Sequence, residues 1–142
     1  MNYNTKEESQ YFYRISIKAL VLDENKRFLL LQEKDGSWSL PWWWLSHGDN
    51  IQQSLMIKVA KELGVKPDWF DSNPCYFITA IDDNDQEEWK WNIVYEVSIS
   101  DRNFVLWKDE IAYRFFSKQE ALKENLTKNT IEFVNVFDID KH

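Results

Sequence analysis

Three consecutive tryptophans, Trp42, Trp43 and Trp44, are followed closely by His47 and Gly48, and this is the first stretch of the chain that could do chemistry. Indole rings can plug a cleft, stack on a base or sugar, or join two copies of a chain, and all three uses are open here. His47 could act as a general base, although a lone loop histidine is ordinarily just solvated. Further along, Asp82, Asp83, Asp85, Glu87 and Glu88 form an acidic turn. It lacks the spacing and central glycine of an EF-hand loop and reads as the solvated tip of a hairpin. The single cysteine, Cys75, excludes an internal disulfide and a cysteine-rich zinc site, and reads as a half-buried strand residue. Neither a G-x-G-x-x-G turn nor a Walker lysine loop is present.

The elements that must position these groups follow from periodicity and turn residues. Tyr13 to Leu22 is β-branched and apolar enough for a strand, and Arg27 to Gln32 is expected to pair back on it as a hairpin. A short strand through Trp38 to Leu40 ends at Pro41. Asp49 or Asn50 can cap a helix, with Gln52 or Gln53 placed to close a capping box. Ile51, Leu55, Val59 and Leu63 recur every fourth residue, Met56 widens that stripe, and Gly64 stops the helix. Pro67 and Pro74 bracket a loop. Strands are expected at Cys75 to Ile81, Trp89 to Ile99 and Ile111 to Phe116, and helices at Lys118 to Leu126 and Asn129 to Phe137. The order is strands, one helix, strands, then helices, an α+β pattern with antiparallel pairs.

With 142 residues the chain suits one domain, residues 1–142, of which 1–12 read as a peripheral N-terminal segment. Its 44% hydrophobic and 29% charged residues are those of an ordinary globular protein. A net charge of −7 argues against a general partner among nucleic acids or anionic membranes. No run approaches the roughly 18 apolar residues of a membrane span, and the polar N-terminus has no signal-like stretch, so the expected location is cytoplasmic. Only three glycines leave few positions where backbone can bend freely around a phosphate.

Leu40 to Val65, LPWWWLSHGDNIQQSLMIKVAKELGV, resembles the signature of the Nudix (MutT-like) hydrolase superfamily, G-x5-E-x7-R-E-U-x-E-E-x-G-U with U a bulky aliphatic. A leucine-proline pair commonly leads into that signature, and the element order agrees over roughly Tyr13 to Phe137. Val59, Glu62, Gly64 and Val65 match, and Asp49 stands in for the first glutamate. Trp43 replaces the leading glycine, Ile57 the arginine, and Lys58 and Lys61 two of the helical glutamates. The implied fold is a mixed β-sheet flanked by helices, an α/β/α sandwich.

The resemblance also implies a chemistry. Superfamily members hydrolyse a nucleoside diphosphate linked to another group with Mg²⁺ or Mn²⁺ held by glutamates at i, i+3 and i+4 on one helix face. Here two ammoniums and one carboxylate occupy that face, and a lysine ammonium has no lone pair for a cation. The usual metal-dependent catalysis is therefore expected to be lost or strongly impaired. The chain would then act as a binding or interaction module without a cofactor. Its partner would be a nucleoside-diphosphate-type molecule contacted by Trp42, Trp43, Trp44, Lys58 and Lys61, or a second copy through the tryptophan loop.

The alternative is drawn from the GDP-mannose hydrolase branch, which this chain resembles in keeping only the last helical glutamate. There one Mg²⁺ sits on that glutamate and a later loop supplies a further ligand and a base. The matching positions are Glu62 and Asp109 for the metal and Glu110 for the base. The bland readings of these residues are solvated loop acids and, for Glu62, a helix carboxylate paired with Lys58 or Lys66.

Overall fold

The computed structural model describes residues 13–81 and 88–142. The strand β1 (Tyr13–Leu20) is buried continuously from Ser16, and β2 (Phe28–Glu33) from Phe28 to Leu31. An apolar run without alternation belongs to a strand covered on both faces, and such a strand has neighbours along both edges. That is why the expected hairpin forms only at its tip. Leu22 bridges Phe28, and the Leu29 N–H donates to the Val21 carbonyl at 2.9 Å. Beyond this the two strands part and each becomes the centre of its own sheet.

In the first sheet the order is β4 (Trp42–Trp44), β1, β7 (Trp89–Ser98) and β5 (Trp69–Phe70), with β6 (Tyr76–Ile81) also paired to β7. β1 and β7 are parallel and the other pairs antiparallel, so the sheet is mixed. The second sheet runs β3 (Trp38–Ser39), β2, β8 (Glu110–Phe116), all antiparallel. The short β5 falls in the loop expected between Pro67 and Pro74, where pairing with β7 recruits two residues that have no strand pattern of their own.

Helix α1 (Ile51–Leu63) buries Leu55, Val59 and Leu63 against Ile17, Ala19, Val21 and Val97. Helix α3 (Lys128–Val136) buries Phe133 and Val134 against Leu20, Phe28, Ile78 and Val94. Neighbouring β1 residues thus serve opposite helices, which makes the arrangement the expected α+β sandwich with helices on both sides. The short α2 (Lys118–Ala121) is one turn rather than the expected Lys118 to Leu126. Its continuation is taken by Trp38, whose N–H donates to the Asn125 carbonyl and whose own carbonyl accepts from the Thr127 N–H.

Asn50, rather than Asp49, caps α1, its Oδ1 accepting from the Gln53 N–H at 3.1 Å. The capping box forms at α2 instead, between Ser117 and Glu120. Asn50→Ala is expected to cost about 1 kcal/mol, read as a lower urea midpoint at unchanged slope. Among the described residues no helix is long and apolar enough to cross a membrane.

Candidate functional site

The tryptophan triplet is a strand, not a loop, because it pairs antiparallel with β1: Ser16 opposite Trp44, Ile17 opposite Trp43, Lys18 opposite Trp42. Side chains alternate across a strand, and this divides the triplet. Trp43 enters the core beside Leu55 and Val59, 5% exposed, with its Nε1 lacking an acceptor. Trp42 and Trp44 turn the other way, half-buried, with ring centroids 5.1 Å apart and planes at 89°. None of the three is among the exposed large apolar residues.

Trp42 and Trp44 line a cavity of about 460 Å³ with Lys18, Lys90, Glu33 and Asp35. Lys18 and Lys90 are 2% and 6% exposed. The Lys18 ammonium lies 5.1 Å from the Trp42 ring, and Lys90 lies 4.8 Å from Trp42 and 4.6 Å from Trp44. The Arg14 guanidinium sits 3.5 Å from the Trp44 ring. Such cation–π contacts offset part of the cost of burying the ammoniums. Under the cavity Asn92 donates to Asn129 Oδ1 at 2.7 Å, while Asn92 Oδ1 and the adjacent Ser16 hydroxyl are buried without partners. Sequence reading missed Lys18 and Lys90. The available signal was a lysine inside an apolar strand run and another alternating with tryptophans.

A second cavity, about 350 Å³, adjoins the first at Trp44 and is lined by Gly48, Asp49, Asn50 and Lys58. Asp49 Oδ2 accepts from the Ser46 N–H at 2.9 Å and closes the turn before α1. His47 is exposed at that turn and lines neither cavity. Lys61 folds back over Trp107, 4.6 Å from its ring.

The end of α1 builds the most unusual feature. The last carbonyls of a helix lack partners within it. Here the segment before β8 supplies them, Val105 N–H donating to the Leu63 carbonyl at 2.8 Å and Trp107 N–H to the Glu62 carbonyl at 3.2 Å. Glu110 N–H in turn donates to the Trp107 carbonyl at 3.0 Å. This strap brings the Glu110 carboxyl onto the Glu62 carboxyl. Burial first, then the hydrogen bond and charge of Glu110, push Glu62 from 4.5 up to about 8, while Lys58 and Lys61 pull it down. As two carboxylates the pair has no donor, and Glu110 Oε2 is left buried without one.

Glu62 and Glu110 are thus together, and Glu62 is half-buried rather than a solvated helix carboxylate. Asp109 is not with them: its side chain is 77% exposed and lies 3.8 Å from Lys34 Nζ. Glu110 also stands opposite Glu33 across the β2–β8 pair, and of these two only Glu33 lines the tryptophan cavity. Among the described residues no group of three or more His, Cys, Asp or Glu could hold a metal ion. Cys75 lies just before β6, half-buried, its Sγ donating to the Val94 carbonyl at 3.3 Å. Burial and then Glu96 push this thiol up to about 11, so it stays unreactive. Of the acidic turn, Asp82, Asp83, Asp85 and Glu87 lie outside the described residues, and Glu88 pairs with Arg14 at 3.5 Å.

No protein-family model and no curated protein matches the sequence. Solved structures do match. A MutT protein from Methanosarcina mazei Go1 is 22% identical with a TM-score of 0.73, covering 91% of this chain and 94% of its own. A MutT Nudix hydrolase from Burkholderia pseudomallei is 18% identical with a TM-score of 0.74, covering 90% and 100%. The Nudix domain of Shewanella oneidensis NrtR, solved with ADP-ribose, is 13% identical with a TM-score of 0.65, covering 94% and 96%. The mixed sheet, the helix after the tryptophan strand and the closing helices are therefore the Nudix hydrolase fold.

Proposed function

We propose that this chain hydrolyses a nucleoside-diphosphate sugar at a reduced centre made of Glu62 and Glu110, the usual multi-cation pyrophosphate hydrolysis of the superfamily being lost. The observation that carries this is the convergence of the two carboxyls, with Glu62 pushed up to about 8 and Glu110 Oε2 buried without a donor. Two converging hard-oxygen donors suit one divalent cation and are too few for a cluster. Glu62 with Glu110 would hold one Mg²⁺ or Mn²⁺, which would neutralise charge on the diphosphate. Glu110 is the carboxylate placed to accept a proton from water. The water oxygen bonds to the sugar carbon, the bond from that carbon to the phosphate oxygen breaks, and its electron pair leaves with the nucleoside diphosphate. Trp42 and Trp44 would border the bound ligand, and Lys58 would face its phosphates from α1.

A second reading keeps only the binding. It is favoured by Lys58 and Lys61, whose ammoniums could contact a phosphate without a cation. A panel of nucleoside diphosphates, triphosphates and nucleotide sugars with Mg²⁺ or Mn²⁺, assayed for both phosphate and free sugar, separates the two. Sugar release that stops with EDTA supports the hydrolase. Absent turnover, with binding that survives EDTA and weakens with salt, rejects it for the binding module.

A further inference from the structure

We infer that the cavity beside Trp42 and Trp44 takes a neutral, hydroxyl-rich group, the sugar of the ligand, and not its nucleobase or phosphates. This rests on the nucleotide-sugar reading above and assigns which half of the ligand goes where.

Charge is the first ground. The lysines of the cavity, Lys18 and Lys90, are balanced in formal charge by Glu33 and Asp35 on the same walls. A balanced lining gives a phosphate no net attraction. It does offer ammonium donors and carboxylate acceptors side by side, which is what vicinal hydroxyls need, since each hydroxyl both donates and accepts.

The indoles are the second ground. A base is held by laying it flat on an aromatic ring. Trp42 already carries Lys18 and Lys90 within 5.1 Å and 4.8 Å of its ring, and Trp44 carries Arg14 and Lys90 within 3.5 Å and 4.6 Å. The two rings also meet edge to face at 5.1 Å. A base stacking on either ring competes with a cation already there. A sugar needs only the ring edges as an apolar border and leaves those contacts in place.

Position is the third. Trp44 lines both cavities, so a ligand whose sugar fills the first can continue into the second. The phosphates then extend past Trp44 toward Lys58 and the second cavity.

The test uses the full chain and its tryptophan fluorescence, which Trp42 and Trp44 share with six other indoles. UDP-glucose, GDP-mannose and ADP-ribose are titrated beside UDP, GDP and ADP, with native protein, Glu33→Gln and Asp35→Asn. At least one sugar-linked nucleotide is expected to bind about ten- to a hundredfold tighter than its parent diphosphate, the worth of one or two hydrogen bonds to charged groups. Glu33→Gln should remove most of that difference and leave affinity for the parent diphosphate unchanged. Asp35→Asn, on the exposed turn, gives the same test should Glu33→Gln fail to fold. Equal affinity for sugar-linked and parent forms, unmoved by either substitution, overturns the inference even if the protein hydrolyses nucleotide sugars. Tighter, Glu33-dependent binding without turnover supports the inference and overturns the hydrolase reading. Binding of none of the probes overturns both.

Discussion

Glu62→Gln is expected to lower turnover of a nucleotide sugar by about a hundredfold or more, since it removes a carboxylate that would hold the cation, and loss of even a ligand's outer hydrogen-bond partner costs about 10- to 100-fold. The same substitution should change how stability depends on pH. In the unfolded chain Glu62 ionises near 4.5, whereas in the folded protein burial and Glu110 hold its proton up to about 8. Between these values the unfolded state has released a proton that the folded state still binds. Stability from this group is therefore full below about 4.5, falls as pH rises toward about 8, and is level above that. Glutamine has no proton to lose, so the variant should gain on the native protein as pH rises from 5 to 8. Urea midpoints of both proteins at those two pH values measure this. A gap between native and variant that is the same at pH 5 and pH 8 would mean the two carboxyls do not share a proton.

The largest stability effect is expected at Gly64. This residue ends α1 at φ +69°, a left-handed conformation that strains any residue with a Cβ. A Cβ built there would stand 2.8 Å from both the Cβ and the carbonyl oxygen of Val105. Gly64→Ala thus combines roughly 1 kcal/mol of backbone strain with roughly 1–3 kcal/mol of overpacking, about 2–4 kcal/mol together. Gly36→Ala is the internal control, since its φ is +89° with nothing within 4 Å of the added carbon. It should cost only the backbone part. If the two variants melt alike, the strap from Val105 to Trp107 is not packed on the helix end. If Gly64→Ala is the worse, it should also weaken the pH dependence set by Glu62, because the strap is what carries Glu110 to that carboxyl.

How far the chain was legible depends on how local each feature is. Helix α1 was readable because its stripe, its cap at Asn50 and its stop at Gly64 all lie within one short segment. The resemblance of Leu40 to Val65 to a known signature pointed to the fold by the same route. The β1–β2 hairpin was misjudged beyond its tip because each strand had a stronger claim elsewhere: β1 with β4 and β7, and β2 with β3 and β8. The α2 helix stopped early because Trp38, some eighty residues back, took its backbone partners.

The site divides along the same line. Residue types alone determined that Lys58, Lys61 and Glu62 bring two ammoniums and one carboxylate to one side of the helix, because side-chain chemistry needs no partner to be read. Tertiary structure alone decided that Glu110, and not its neighbour Asp109, meets Glu62, since Asp109 stays on the turn beside Lys34 while Glu110 opens β8. Pairing with β1 likewise sent Trp43 into the core and turned Trp42 and Trp44 toward Lys18 and Lys90, lysines distant from one another in sequence. Neither contact could be found by spacing, because each is set by which strands lie side by side.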